Sequence, residues 1–209
     1  MHNADVIDPY DFQPQPLLIV ISGPSGVGKD TVVSRMQDRG IPFHFVVTAT
    51  SRPPRPGEVH GEDYFFVSEE AFETMIAEDE LLEHAVVYGQ YKGVPKQQVR
   101  EAMASGKDVV MRLDVQGAAT VQEIAPEAVL IFLSASSEAE LFDRLRRRKM
   151  DTEEQVRRRM EAAREEMRRL PIFDYVVINH EDHVDRAVDD ILRIITAEHL
   201  RVLPRRVTL

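Results

Sequence analysis

The chain has 209 residues, 43% of them hydrophobic and 30% charged, enough for one α/β core with small appended lobes. It has no cysteine, which excludes a disulfide framework, thiolate chemistry and a Cys-based metal site, and no run of eighteen apolar residues, which excludes a transmembrane helix. The net charge of −10 argues against nucleic acid as a general partner.

In chain order, residues 1–15 read as a flexible, acidic, proline-bearing extension. They show neither a signal-peptide nor a transit-peptide pattern, so a cytoplasmic location is expected and no membrane partner. Residues 16–22, "PLLIVIS", form a continuous apolar run of the kind buried in a parallel sheet. A glycine-rich loop follows, then a helical pattern over 30–40 that stops at Gly40. Residues 43–68 read as a strand, a Pro/Gly/Arg-rich loop and an aromatic strand. The stretch 68–89 opens on a serine cap and carries helical periodicity, and 96–108 reads as a further helix. Apolar strands are expected at 109–117, 128–135 and 173–180. Two helices with capping boxes, Ser137 to Glu140 and Thr152 to Gln155, lie between the last two, and an amphipathic helix at 184–200 closes the chain. Strands alternating with helices imply a layered α/β fold on a mostly parallel sheet.

Residues 22–31 read "SGPSGVGKDT", and Gly23, Pro24, Ser25, Gly26, Val27, Gly28 and Lys29 fit G-x-x-x-x-G-K. Between an apolar strand and a helix, successive backbone N–H groups and the helix N-terminus form an anion cradle, and Lys29 adds a point charge for the outer phosphates of a nucleotide. Asp30 departs from the usual serine or threonine. A carboxylate there is repelled by phosphates unless it faces a cation, so Asp30 is a candidate to hold Mg²⁺ through water, with the Thr31 hydroxyl as the alternative contributor.

The stretch "TSRPPRPGEVHGEDYFF" is more distinctive. Arg52 and Arg55 stand three apart across prolines that stiffen the loop, and Tyr64 offers a phenol nine residues later. Two guanidiniums and a phenol suit a phosphate monoester, which the Arg fork grips bidentately. With "GPSGVGK", "LLEHAVVYG", "LDVQGA", "RLRRRKMDTEEQVRRRM" and "FDYVVIN", these residues resemble the guanylate kinase family over roughly 16–202. The resemblance implies a three-layer α/β P-loop core with a GMP-binding lobe and a helical lid: core 16–45, 98–139 and 171–203, lobe 46–97, lid 140–170, and a tail at 204–209. It implies ATP and GMP as substrates, with Mg²⁺ accompanying the ATP. Both a monomer and a homo-oligomer are compatible with it.

Carried over by residue, the resemblance assigns Arg52, Arg55, Tyr64 and Lys92 to the GMP phosphate, and Thr48 and Glu83 to the guanine. One carboxylate can accept both N1–H and N2–H₂ of guanine, whereas adenine would leave it unpaired. Asp114, at the end of its strand, reaches the crevice between the nucleotides. The residue two earlier is usually an acid; here it is Arg112. Aligned on Gly93, the chain also has Lys92 for a tyrosine and Val94 for a hydroxyl residue, so one contact to the base is missing, with Tyr91 one position off. "KGVPKQQVRE" is similar to a branch of the family that includes some plant organellar members.

Residues 144–169 hold eleven Arg/Lys against six Asp/Glu. Helices carrying such cations suit a lid closing over phosphates, where positive charge stabilises the transferring group. By resemblance Arg148 and Arg159 join Lys29 and Arg55 as catalytic residues, Arg144 contacts ATP, and Asn179 lies by the adenine. Two other readings stay open here: a kinase for another nucleoside monophosphate, and a non-catalytic guanylate-kinase-like interaction module.

Overall fold

The computed structural model describes residues 13–87, 89–147 and 153–209. The extension at 1–12, Arg148 and the Thr152 cap therefore lie outside the described residues.

The strand β1 (Leu18–Ser22) is buried throughout and occupies the centre of a five-stranded sheet. It pairs in parallel with β7 (Val109–Arg112) on one side and β8 (Val129–Ser134) on the other. Beyond these lie β2 (His44–Phe45) and β9 (Tyr175–Ile178), giving the order β2-β7-β1-β8-β9. Every pairing is parallel. Parallel neighbours need helical crossovers, and these cover both faces of the sheet. The alternation inside the apolar run sorts its residues. Ile19 and Ile21 face α1 (Lys29–Asp38), α5 (Glu138–Arg146), α6 (Glu153–Arg168) and α7 (Val184–His199) in one apolar cluster. Leu18 and Val20 join α3 (Lys96–Ala104) and α4 (Val115–Ile124) in the other. This is the three-layer α/β core expected.

A second sheet, ordered β4-β3-β6-β5, comprises β3 (Ala49–Thr50), β4 (Phe65–Phe66), β5 (Leu81–Val87) and β6 (Gln90–Pro95). The helix α2 (Glu69–Ala77) packs Phe72 beneath it against Ala49 and Leu81. The helical reading of 68–89 therefore holds only for its first part. Ser68 caps α2 by accepting from the Ala71 N–H at 3.1 Å, while 81–87 pairs antiparallel with β6. A strand replaces the helix there because the antiparallel partner β6 supplies its backbone hydrogen bonds.

The tail is more than an appendage. Arg205 bonds to Glu198 at 2.8 Å, Asp174 at 3.2 Å and the Ala128 carbonyl at 3.1 Å, and Val207 and Leu209 pack on the α3/α4 face. Among the described residues, no helix is long and apolar enough to cross a membrane.

Candidate active site

The strand order reverses around β1, so a crevice opens at its carboxyl end, where ligands of open parallel sheets bind. The glycine loop fills that position and runs into α1. Gly28 stands before the first helical turn at φ 96°, and a Cβ there would lie 2.5 Å from the Asn179 amide nitrogen, so only glycine fits. The loop is held from below. Asn179 and Arg144 donate to the Val27 carbonyl at 2.9 and 3.0 Å, and Arg144 also donates to the Asn179 carbonyl at 2.6 Å and pairs with Glu140. Both residues assigned to the ATP side thus buttress the phosphate loop in this arrangement. The Lys29 ammonium is folded back onto the Gly23 and Pro24 carbonyls, at 2.5 and 3.1 Å. Burial lowers its pKa, while the charges of Glu166, Asp30 and Asp114 oppose that shift.

The loop opens onto a cleft of about 570 Å³. Its floor is Ser25, Gly26, Gly28, Lys29, Asp30 and Thr31; its far wall is Thr48, Tyr64, Glu83 and Lys92; Arg112 and Asp114 lie between. Asp114 caps α4 by accepting from the Gly117 N–H at 2.8 Å. Glu83 is 6% exposed, and burial together with the nearby Asp114 charge raises its pKa to about 7. Space for its carboxylate comes from Gly117, where a Cβ would stand 2.9 Å from Oε2. Gly117→Ala therefore displaces Glu83. We expect ligand binding at the Glu83 side of the cleft to weaken about tenfold, the cost of one misplaced hydrogen-bond partner, with the melting temperature little changed because alanine favours the helix. Steady-state kinetics and thermal melting check this.

Behind Tyr64 and outside the lining of the cleft, Arg52 is 7% exposed, stacks 4.8 Å over the Tyr64 ring and forms a bidentate pair with Glu58, both bonds at 2.6 Å. Glu58 also accepts from the Arg55 N–H at 2.7 Å, and these bonds, the Arg52 one foremost, hold its pKa at about 2. The Arg55 side chain is exposed on the same turn, outside the lining of the cleft. Lys92 approaches Tyr64 with Nζ 5.8 Å from the ring. Tyr91 points to the opposite face and stacks on Phe72 at 5.1 Å, and Val94 is fully buried in the core. Neither lines the cleft. Arg159 is half-buried on α6.

Two residues of the site went unread in the sequence. Glu58 fixes the arginine loop, and its place six residues after Arg52 in a turn was the available signal. Glu166 comes from α6 to the cleft beside Ser25 and Lys29, with Oε2 buried and unpartnered among the described residues. Burial raises its pKa. Lying in a run of mixed charge, it gave no signal.

The fold and the cleft define a P-loop nucleotide-binding protein of the kinase type, with an anion cradle facing a second wall that carries the buried Glu83. The guanylate kinase family model matches residues 15–198. The chain is 53% identical over 203 residues to "Guanylate kinase 2, chloroplastic/mitochondrial" of Oryza sativa subsp. japonica, covering 97% of this chain and 71% of that protein. It is 50% identical over 185 residues to the guanylate kinase of Halalkalibacterium halodurans, covering 88% and 90%. The crystal structure of guanylate kinase from Anaplasma phagocytophilum superposes with a TM-score of 0.73 at 28% identity, covering 90% of this chain and 89% of that one. The chain belongs to the guanylate kinase family.

Proposed function

We propose that the protein transfers the γ-phosphoryl group of ATP to GMP, giving ADP and GDP. One observation carries this reading: the Lys29 loop and the Glu83 wall border a single cleft, so a donor phosphate and a guanine nucleotide can be brought together. Residues 46–97 act as the GMP-binding lobe and 140–170 as a lid over the core. Glu83 accepts the N1–H and N2–H₂ of guanine, and Thr48 serves its O6. Arg52, Arg55, Tyr64 and Lys92 bind the acceptor phosphate, with Asp114 between the nucleotides. The amides from Gly23 to Thr31 and the Lys29 ammonium hold the ATP phosphates, while Arg144 and Asn179 keep that loop in shape beside the adenine. Arg148 and Arg159 meet the charge that spreads over the transferring group, as lid cations do in phosphoryl transfer. Positioning and electrostatics carry such a reaction without a covalent intermediate.

Among the described residues no cluster of three or more His, Asp or Glu suits a metal. The exposed Asp30 and Thr31 at the cleft fit Mg²⁺ held mostly by nucleotide phosphates and water, with one protein carboxylate. Mg²⁺ held there would supply neutralisation of charge on the transferring phosphate. A coupled ADP-release assay offering ATP with GMP, dGMP, AMP, CMP and UMP in turn tests the reading. Turnover with GMP far above AMP, CMP and UMP is expected. Preference for another base, or no turnover at all, would overturn it.

A further inference from the structure

Two of the charged departures from the family pattern, Asp30 and Arg112, meet. Arg112 Nη1 lies 2.9 Å from Asp30 Oδ1, and Nη2 lies 3.4 Å from the Tyr64 hydroxyl. Arg112 stands on the cleft wall, at the end of β7, between the phosphate loop and the arginine loop. It is close enough to Lys29 for the two charges to repel.

We propose that Arg112 is a substrate-contacting residue that grips the phosphate of the acceptor nucleotide, and that Asp30 is the positioning residue that holds it there. This rests on the GMP kinase reading above. The geometry gives the reason. An aspartate beside a triphosphate site repels both nucleotides, and a guanidinium at 2.9 Å cancels that charge. The pair leaves the second guanidinium nitrogen facing Tyr64, on the acceptor side. A guanidinium has five N–H donors. Asp30 and Tyr64 engage only part of them, and the remainder border the cleft. A purely structural role explains little, because the two side chains are 31% and 79% exposed and pairs so exposed add little stability. The chain thus lacks the hydroxyl expected at Val94 but adds a cation beside Tyr64, so acceptor binding shifts from the base toward the phosphate.

The test is equilibrium binding of GMP by calorimetry, without ATP or Mg²⁺, on wild type, Arg112→Met, Asp30→Asn and the double variant, with the KM for ATP measured in parallel. Arg112→Met should weaken GMP binding about 10- to 100-fold, the loss of a charge-assisted contact, and leave the KM for ATP within about threefold. Asp30→Asn should weaken GMP binding less, and add nothing in the Arg112→Met background, because coupled residues are not additive. If Arg112→Met does not fold, Arg112→Lys takes its place, with an expected loss of about threefold or more from the missing fork. GMP affinity within threefold of wild type, an equal loss for ATP, or a full additional effect of Asp30→Asn in the double variant would overturn the proposal. Wild-type protein that fails to bind GMP would instead overturn the kinase reading itself.

Discussion

Lys29→Met lowers kcat by about 10²- to 10³-fold or more, the scale on which a preorganised charge at a developing anion acts, while the KM for GMP stays within about threefold. The ammonium is held by two loop carbonyls, with Asp30, Asp114 and Glu166 around it. In this arrangement it is folded back onto the loop, so it exchanges those carbonyls for the outer phosphates when a nucleotide binds. Methionine keeps the reach of the side chain and removes the charge. The change also leaves the Gly23 and Pro24 carbonyls without their donor, so the melting temperature should fall modestly. Steady-state kinetics with varied ATP and varied GMP, together with a thermal melt, separate the two effects. A kcat within threefold of wild type would show that the amide cradle alone stabilises the transferring group.

Glu83→Gln should lower kcat/KM for GMP about 10- to 100-fold and reduce the GMP-to-AMP preference by a similar factor, since the amide cannot accept both guanine donors. An unchanged ratio would mean that the base is selected elsewhere. The same residue sets a pH dependence. Its pKa of about 7 lies above the ordinary carboxylate value, with burial as the main cause. The free protein must ionise Glu83 to accept from guanine, so kcat/KM for GMP should fall about tenfold per pH unit below 7. The kcat profile should be flatter, because bound guanine donors stabilise the carboxylate. The stability effect runs the other way. A carboxyl whose folded pKa is raised favours the folded state at low pH, fully below about 4.5, and loses that contribution as pH rises through about 7. Unliganded wild type should thus lose stability relative to Glu83→Gln between pH 5 and 8, and saturating GMP should abolish the difference.

The parallel core was legible in the sequence because its strands are continuous apolar runs. Leu18 to Ile21 cannot be half-exposed, and two-sided burial demands a sheet covered by helices. The phosphate loop was legible for the same local reason: strand, glycines, lysine and helix are contiguous. The arginine wall needed the family resemblance, because Arg52 and Tyr64 approach across a loop that no periodicity describes. What stayed hidden depends on long-range placement. Residues 81–87 lost their helical reading to pairing with β6. Glu58 and Glu166 are common acids whose roles exist only after folding. Arg112 and Asp30 each looked like a defect in the chain, and only the contact between their strand and helix makes them one unit.

The central place of β1 bears on how the chain is made. It leaves the ribosome first among the core strands, yet its partners begin only at Val109 and Val129. Contacts so distant in sequence close slowly. Until they close, four consecutive aliphatic residues, Leu18–Ile21, stay without a pairing edge on either side, a segment open to chaperones during synthesis and to self-association when the chain is refolded at high concentration.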